Sequence, residues 1–400
     1  MTKKIYLDNP YLKEIKANVY SKKHIDNNYH IILDRTIFYP HLSGGQPKDT
    51  GTINGVKVKD VYEEGDNIVH VLSKDIGDKK VNLSIDWNTR FDHMQQHTGQ
   101  HILSSAFNKL YGASTVGFHL GSSFVYIDIE LPTLNNNEIK KVERFANEII
   151  FSNFDIKTYI INKFDIDKFP LRKPPSVDNN IRIVEINDID FSPCSGTHHR
   201  GTGEVGLIKI RRWEKYKGNV RVEFVCGNRA LNDYYWKNNQ INAISNLLSI
   251  KDNKSLDAVN RIYNENKQLL KQIKNYKEKI QNHKVDNFLT NAPIHNNIKI
   301  VYHIFDNKNF NDIRIILSKI LNQDCSIVVF GNKQHDKCQI IMGRSDNIDL
   351  DMTEIFNSIA DIIDGNGGGN EKIIQGGGSK PENISQCIKK ALSLIGEKIK

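Results

Sequence analysis

The stretch HMQQHTGQH, residues 93–101, places three histidines at intervals of four residues. On a helix, side chains four residues apart lie one turn above each other on the same face, so two such imidazoles can bind one metal ion. The pair His93 and His97 and the pair His97 and His101 both have this spacing, and the residues alone do not choose between them. An isolated pair of this kind is common on solvated helices, so a metal site needs further ligands from elsewhere in the chain.

A second stretch, FSPCSGTHH at residues 191–199, supplies candidate ligands. Cys194 and His198 are separated by Ser-Gly-Thr, a tight turn that can present a thiolate and an imidazole together. With two histidines of the first stretch they form a set of three imidazoles and one thiolate, which suits zinc. The two stretches together therefore predict a zinc site.

Around these stretches the patterns predict a mixed α+β domain over residues 88–235. Helical periodicity in HTGQHILSSAFNKLYG and NEIKKVERFANEIIFSN alternates with strand-like runs such as SFVYIDIEL, IRIVEI and VRVEFVCG. Before it, residues 1–87 alternate apolar and polar residues in short runs between Gly, Asn and Asp turns, which predicts a small β-barrel. The expected fold class is therefore α+β and multidomain.

Two further segments complete the expected organisation. Residues 236–290 contain no Pro or Gly and place apolar residues at alternating steps of three and four, the period of a coiled coil, although Asn266 and Lys277 interrupt it. We expect a helical linker there, either a two-helix hairpin or a dimer arm. Residues 291–400 contain the strand-like runs KIVYHIF and CSIVVFG and the glycine-rich segment DGNGGGNEKIIQGGG, which predict a C-terminal α/β domain.

The composition limits the class of protein. Lys and Arg number 55 against 47 Asp and Glu, a net charge of +8 that favours polyanionic partners. Five scattered cysteines and a first segment without an apolar core predict a reducing, cytoplasmic setting. No run approaches about 18 consecutive apolar residues, so a transmembrane helix is not expected.

Four motifs resemble the alanyl-tRNA editing proteins. HTGQHILSSAF is similar to the H-T-x-x-H-L-L zinc helix of that family, and CSGTHHRGTGEVGLIKI to its C-x-G-T-H and T-G-E-I-G motif. TIFYPHLSGGQPKDTGTI resembles the T-x-F-Y-P-x-x-G-G-Q-x-x-D-x-G signature of the preceding barrel, although His-Leu-Ser at 41–43 replaces the family's more usual acidic residue and third glycine. DGNGGGNEKIIQGGG resembles the glycine-rich motif of the DHH-associated domain that ends alanyl-tRNA synthetases.

The resemblance implies a ligand set, a reaction and a partner. It assigns one zinc ion to His97, His101, Cys194 and His198, and leaves His93 as a neighbour. With no aminoacylation core ahead of the editing motifs, the chain is similar to freestanding editing proteins of the long AlaX type. The implied reaction is hydrolysis of the ester that joins a wrong amino acid, chiefly serine and also glycine, to the 3′ end of tRNA(Ala). The sequence does not choose between a zinc ion that acts on the substrate and one that only holds the site.

Two residues are candidate catalytic groups. Gln46, on a glycine turn, is expected to make a polar contact to substrate or water, and the alternative is a turn residue bonded to its own backbone. Thr115, just beyond the zinc helix, is expected to hydrogen-bond the serine hydroxyl, because an apolar pocket separates serine from alanine poorly. His119 is a second candidate for that contact, and both could instead be surface or strand residues.

Basic residues predict where tRNA binds. The run RGTGEVGLIKIRRWEKYKGNVR interleaves basic side chains with Trp213 and Tyr216, which suits phosphate contacts and base stacking, and a solvated charged face is the alternative. The basic residues expected to bind RNA are Arg211, Arg212, Lys215 and Lys217. By resemblance, Gly367, Gly368 and Gly369 help to bind tRNA or a partner subunit. The linker or the C-terminal domain could also join two chains into a homodimer.

Two other classes of function compete with editing. A non-catalytic, zinc-stabilised tRNA-binding protein would need neither the glycine turn nor its glutamine. A phosphoesterase would need an Asp-His-His motif, and Asp92-His93 is not followed by a second histidine. The glycine-rich segment lacks the G-K-[ST] ending of a phosphate-binding loop, so ATP hydrolysis is not expected.

Overall fold

The computed structural model describes residues 1–41, 45–77, 79–122, 124–175, 177–323 and 325–399. Leu42, Ser43 and Gly44 of the expected glycine turn lie outside the described residues. The chain divides into two compact units, Met1–Leu247 and Leu248–Lys400. The expected mixed α+β, multidomain organisation is confirmed.

The first unit begins with six strands that close into a barrel in the order β2-β3-β7-β6-β5-β8. Short runs of alternating polarity form it because every second side chain turns inward, where Ile31, Leu33, Val61 and Leu83 are fully buried. The elements of this region are β1 (Lys3–Lys4), α1 (Ile5–Asp8), β2 (Glu14–Ile25), β3 (Asn28–Leu33), β4 (Arg35–Thr36), β5 (Gly51–Ile53), β6 (Val56–Glu64), β7 (Asn67–Leu72) and β8 (Lys80–Ile85).

A four-stranded sheet, in the order β14-β15-β10-β9, follows the barrel within the same unit. Helices α2 and α3 pack on it around a shared apolar core. The elements are α2 (Trp87–Tyr111), β9 (Thr115–Leu120), β10 (Val125–Ile129), α3 (Asn136–Phe151), β14 (Ile208–Tyr216) and β15 (Asn219–Cys226). Asp86 caps α2 by accepting the backbone N–H groups of Asn88 and Thr89, and Gly112 ends the helix in the left-handed conformation.

A second, three-stranded sheet carries the cysteine stretch. Its order is β11-β12-β13, and its strands are β11 (Ile156–Ile161), β12 (Ile181–Ile186) and β13 (Asp190–Pro193). All its pairings are antiparallel. Strand β13 ends at Pro193, so Cys194 is the first residue of the turn that follows.

Two long helices follow the sheets. They are α4 (Gly227–Leu248) and α5 (Ser255–Asn291). The expected helical linker is therefore two helices separated at residues 249–254. The domain boundary expected between 235 and 236 lies inside α4, because that helix already begins at Gly227.

The second unit is a six-stranded mixed sheet in the order β16-β17-β18-β19-β21-β20. Alternate side chains of β18 and β19 pack on opposite faces, with Val328 and Phe330 against α6 and Ile327 and Val329 against α7 and α8. The elements are β16 (Ile294–His295), β17 (Ile298–Asp306), α6 (Phe310–Leu321), β18 (Ser326–Lys333), β19 (Cys338–Arg344), α7 (Met352–Asn357), β20 (Gly365–Gly369), β21 (Ile373–Gly378) and α8 (Ile384–Lys398).

Over the part of the chain that the structure describes, none of the helices combines the length and the apolar character that a membrane span needs.

Candidate metal centre

Helix α2 carries the first histidine stretch through the interior of the first unit. Sixteen of its 25 residues are buried, among them His93, His97 and His101. A helix can be buried with so polar a sequence only if its side chains find partners. The partners come from the cysteine stretch, the barrel and strands β13 and β15.

The four expected zinc ligands lie together. The ligand atoms of His97, His101, Cys194 and His198 all lie within 4.8 Å of one another. The Cys194 Sγ atom is 3.4 Å from His97 Nε2 and 3.3 Å from His198 Nε2. Bonds of about 2.0–2.3 Å in a tetrahedral site separate ligand atoms by about 3.3–3.8 Å. The two distances from Cys194 therefore match one tetrahedral ion.

Hydrogen bonds to the other ring nitrogens orient all three imidazoles. The Nδ1 atom of His97 lies 2.8 Å from Gln46 Oε1, that of His101 lies 3.1 Å from Asp190 Oδ2, and that of His198 lies 3.2 Å from Thr98 Oγ1. Amide and carboxylate oxygens only accept hydrogen bonds, so Nδ1 of His97 and of His101 carries the proton. A neutral ring with its proton on Nδ1 presents Nε2 to a metal, and such outer partners are typical of metal sites.

The local charges favour a thiolate beside a neutral imidazole. Burial alone would raise the pKa of the Cys194 thiol, but His97 and His198 together lower that pKa well below its usual value. Burial lowers the pKa of His198 well below its usual value. Burial alone would lower the pKa of His101, but its hydrogen bonds with Asp190 and Cys194 raise that pKa. Metals bind thiolate and neutral imidazole, so Cys194 and His198 already favour the binding state and His101 would give up its added proton to a metal.

Gln46 connects the histidine helix to the cysteine turn. Its side chain is 1% exposed, and its Oε1 atom accepts hydrogen bonds from His97 Nδ1 and, at 3.0 Å, from the backbone N–H of Thr197. Its Nε2 atom donates to Thr197 Oγ1 at 2.8 Å. These bonds position the histidine and the cysteine turn, and the expected contact of Gln46 with substrate or water stays a prediction.

A cavity of about 550 Å³ is lined by three of the four ligands, His97, His101 and Cys194. A cavity of this size suits a ligand as large as a nucleoside. Among the described residues that line it there are four basic side chains and no acidic one, the basic ones being Lys4, Arg172, Lys173 and Arg182. The cavity therefore favours an anionic ligand.

Thr115 lies in the wall of this cavity. Its hydroxyl donates to Ser104 Oγ at 2.7 Å, and Gln100 Nε2 donates to the same oxygen at 2.8 Å. The lone pairs of the Thr115 oxygen remain available to accept a hydrogen bond. His119, the other residue considered for this contact, is exposed beyond the cavity, with its ring stacked on Tyr126.

Several residues that support the cluster were not found from the sequence. Asp190 binds His101, and Arg172 donates to Asp190 Oδ1 at 2.7 Å. Burial alone would raise the pKa of the Asp190 carboxyl, but its hydrogen bond with His101 and the charge of Arg172 lower that pKa to about 2. Arg182 donates to the carbonyl oxygens of Cys194 and Gly196 and so holds the turn. The sequence signal was weak, because Asp190 and Arg182 are separate strand residues.

His93 and His199 lie outside the four-ligand cluster. His93 is buried, and its Nδ1 atom has no hydrogen-bond partner among the described residues. His199 packs edge to face on Phe91, and its Nδ1 atom lies 3.3 Å from the Tyr11 hydroxyl and 3.5 Å from Glu204. His97, His101 and His198 thus converge on one cluster, whereas His93 and His199 do not belong to it.

The basic residues expected to contact RNA fall into two kinds. Arg211 and Arg212 are paired with Glu223 at 3.1 and 2.7 Å, whereas Lys215 and Lys217 are exposed near the β14–β15 turn. Trp213 was expected to stack on bases, but it packs on the apolar core, and its indole N–H donates to the Leu134 carbonyl. The Trp213 ring therefore makes its contacts within the protein.

The glycine-rich segment forms the antiparallel hairpin β20–β21 at the edge of the second sheet. A Cβ atom on Gly367 would come within 2.6 Å of the Phe356 ring, and one on Gly369 within 2.3 Å of the Ile373 carbonyl. These two glycines are explained by close packing. Gly368 faces open space, so packing does not require a glycine there.

A barrel, an α+β layer with a buried three-histidine, one-cysteine cluster beside a basic cavity, and a separate α/β unit define a multidomain protein with a candidate metal centre. Two family models match the chain: the threonyl and alanyl tRNA synthetase second additional domain at residues 181–223, and the DHHA1 domain at residues 297–397. The alanyl-tRNA editing protein AlaX-L of Pyrococcus horikoshii is 32% identical, and the match covers 96% of each chain. The chain therefore belongs to the alanyl-tRNA editing proteins of the long AlaX type.

Two other relatives show how far the similarity extends. The alanyl-tRNA editing protein Aarsd1-A of Xenopus laevis is 30% identical over 64% of each chain. The alanine–tRNA ligase of Methanobrevibacter smithii is also 30% identical, over 96% of this chain but only 44% of the ligase. The chain thus spans less than half the length of this ligase.

Proposed function

We propose that this protein is an aminoacyl-tRNA deacylase that hydrolyses mischarged tRNA(Ala), with Ser-tRNA(Ala) as its chief substrate and Gly-tRNA(Ala) as a second. The observation that carries the proposal is the basic cavity that opens on His97, His101 and Cys194. Lys4 pairs with Glu63 and Arg172 with Asp190, so Lys173 and Arg182 are the basic side chains that best suit the phosphates of an RNA end. Membership in the alanyl-tRNA editing proteins supports the same reaction and the same partner.

We assign one zinc ion to His97, His101, Cys194 and His198. Zinc, when bound, polarises a neighbouring oxygen as a Lewis acid and can lower the pKa of a bound water to about 7. The chain itself holds the ligand atoms ready through Gln46, Asp190 and Thr98. In the reaction, the oxygen of water adds to the ester carbonyl carbon, and the bond to the ribose oxygen breaks. The ribose oxygen takes up a proton, and the free amino acid leaves.

Thr115 is our candidate for the choice between serine and alanine. Its hydroxyl donates a hydrogen bond to Ser104 Oγ, so its oxygen can accept a hydrogen bond from the hydroxyl of a bound seryl group. Alanine has no hydroxyl to offer, and a site with a polar group that needs a partner separates two such substrates well. Gln46 serves as a positioning residue, since its amide is used by His97 and Thr197.

The first test is the release of labelled amino acid from Ser-tRNA(Ala) and, in parallel, from Ala-tRNA(Ala). We expect rapid loss of serine and little loss of alanine with the wild-type protein, and loss of both activity and bound zinc with Cys194→Ala. Thr115→Val keeps the shape of the side chain and should lower the rate for serine while zinc content stays unchanged. A folded, zinc-loaded protein that binds tRNA and cleaves neither ester would contradict the proposal and favour a zinc-stabilised tRNA-binding protein.

For tRNA binding we propose Lys215 and Lys217 as phosphate contacts, with Arg211 and Arg212 able to exchange Glu223 for phosphate. Gly368 is the glycine of β20 that packing leaves open for contact with tRNA or a partner subunit. We propose that residues 1–87, 88–235, 236–290 and 291–400 form four functional segments.

We propose that two chains associate through α5 or the C-terminal unit. Leu270, Ile273 and Ile280 are between 51% and 63% exposed on the expected seam of α5. Sedimentation velocity over a range of protein concentrations would test this, and a monomer at every concentration would contradict it.

A further inference from the structure

The outer face of the sheet β14-β15-β10-β9 carries a row of planar side chains. The His119 ring stacks on the Tyr126 ring with centroids 5.1 Å apart, and the Phe124 ring lies nearly parallel to Tyr126 at 6.2 Å. The guanidinium carbon of Arg221 lies 3.8 Å from the Tyr126 ring centroid and 3.6 Å from that of Tyr216. We refer to these five residues, His119, Phe124, Tyr126, Arg221 and Tyr216, as the stacking row.

Strand pairing fixes the row in place. Tyr126 pairs with His119 across β10 and β9, and Asp128, the next outward residue of β10, pairs with Arg221 of β15. The Asp128 carboxylate accepts two hydrogen bonds from the Arg221 guanidinium, each of 2.8 Å. A two-point contact of this kind holds the guanidinium plane at a fixed angle. The row is therefore ordered before any ligand arrives.

The row leaves apolar and planar side-chain surface exposed to solvent. Phe124 is 45% exposed and His119 is also exposed, although both lie beside a well-packed sheet. A shallow cavity of about 100 Å³ lies among aromatic, basic and acidic side chains, namely Phe124, Tyr126, Trp213, Arg212, Arg221, Glu214 and Glu223. Glu223 is paired with Arg212. Exposed aromatic surface beside arginines is suited to flat ligands, because rings and guanidinium planes both stack on bases.

The row is continuous with the wall of the cavity at the metal centre. Residues 115–118 of β9 line that cavity, and His119 is the next residue of the same strand. Gly117, in the wall, pairs with Asp128, and a Cβ atom on Gly117 would come within 2.8 Å of the Asp128 carboxylate. Neighbouring strands lie about 4.8 Å apart, so the three steps from β9 to β14 span about 14 Å.

We propose that the stacking row binds unpaired RNA bases, namely those that precede the aminoacylated 3′ end lying in the cavity. Four-stranded sheets that bind single-stranded RNA use aromatic side chains to stack about two or three bases. Arg212 lies on β14, as Tyr216 of the row does, and Lys217 lies in the turn after that strand, where both can contact the phosphates between those bases. The inference rests on the proposed function, since it identifies the partner as the RNA end that the cavity receives.

The direct test is fluorescence anisotropy of a 5′-fluorescein-labelled RNA tetramer, ACCA, with the full, zinc-loaded chain. Phe124→Leu and His119→Ala should each weaken binding about 5-fold or more, since one stacked base contributes at least that much. Phe124→Trp should retain the affinity, because it keeps a stacking face. Phe164→Leu is the matched control, because Phe164 is 95% exposed and belongs to the short helical segment Lys163–Lys168, which is not part of this sheet.

Deacylation kinetics separate this inference from the proposed function. With Ser-tRNA(Ala), Phe124→Leu should raise KM at an unchanged kcat, because the row binds the RNA end without touching the ester. If the wild-type chain binds the tetramer through the row but cleaves no ester, the deacylase proposal fails, and the proposal that the row binds RNA bases is retained. If Phe124→Leu and His119→Ala leave both the tetramer affinity and KM at wild-type values, the stacking row is wrong whether or not the ester is cleaved.

Discussion

Helices α2 and α5 reverse the usual relation between composition and burial. Helix α2 carries histidines, glutamines, serines and threonines, yet 16 of its 25 residues are buried. Helix α5 carries leucines, isoleucines and valines at coiled-coil spacing, yet only three of its 37 residues are buried. Periodicity predicted both helices, but burial depends on what packs around each of them. Polar groups on α2 are tolerated because other elements bond them, as Asp190 does for His101.

The strongest test of this comparison is the buried ion pair at the start of α2. The Arg90 and Asp49 side chains are both fully buried, and Arg90 also donates to the carbonyl oxygens of Pro10 and Ile37. We expect Arg90→Met to lower the free energy of unfolding by about 3–5 kcal/mol, because it leaves the Asp49 carboxylate buried and unpaired. All three tryptophans lie in the first unit, so urea unfolding followed by their fluorescence reports on it.

The control is Arg90→Met combined with Asp49→Leu. Replacing both charges with apolar groups should restore much of the lost stability. An Arg90→Met protein as stable as the wild type would show that the partners of the polar side chains on α2 contribute little to the free energy of unfolding.

A buried histidine in the barrel extends the test beyond α2. Burial lowers the pKa of His70 to about 4, and its ring contacts Thr36 Oγ1 and the Ile31 carbonyl. The unfolded chain binds this proton near pH 6.5. The stability contribution is therefore fully present above pH 6.5 and is lost as the pH falls toward about 4, a loss of about 3 kcal/mol.

The measurement compares urea unfolding at pH 7 and pH 4 for the wild type and His70→Asn, with zinc present in both. We expect the wild type to lose about 3 kcal/mol more than the variant over this interval. Equal losses would mean that His70 does not contribute to the acid sensitivity of the unit.

Gly99 sharpens the comparison at a single position of α2. In an exposed helix, glycine to alanine is stabilising by about 0.8–1.0 kcal/mol. A Cβ atom on Gly99 would lie 2.3 Å from Cys226 Sγ, so we expect Gly99→Ala to destabilise the first unit by about 1–3 kcal/mol. Adding Cys226→Ala removes the sulfur and should recover part of the loss. A gain in stability from Gly99→Ala alone would contradict the tight packing of this helix.

The smallest effect is expected on α5. Asn275 is exposed in the middle of this helix, and Asn275→Ala should stabilise it by about 0.5 kcal/mol through helix propensity alone. Thermal unfolding followed by circular dichroism would show a slightly raised midpoint. A loss of about 1 kcal/mol or more would show that this face of α5 contacts something that the exposure of Asn275 does not reveal.

Sequence reasoning found the elements and the ligand candidates more readily than the contacts between them. The spacing of His97 and His101 and of Cys194 and His198 identified candidate ligands, because spacing is a local property. The spacing left His93 open, and only the resemblance excluded it. Gln46 was found, but its hydrogen bonds with His97 and Thr197 were not, because these partners come from distant parts of the chain. Its expected contact with substrate stays a prediction.

The sequence by itself determined the mixed α+β class, the helices around the histidines and in the linker, and the residue types that a zinc ion would use. These follow from hydrophobic period, turn residues and ligand chemistry, which act over a few residues. Only the tertiary structure decided that Asp190 orients His101, that Trp213 belongs to the core, and that α2 is buried while α5 is exposed. The reason is physical. Burial and hydrogen-bond partners depend on segments that come into contact only after folding, and a short stretch of sequence does not specify which distant segment it will contact.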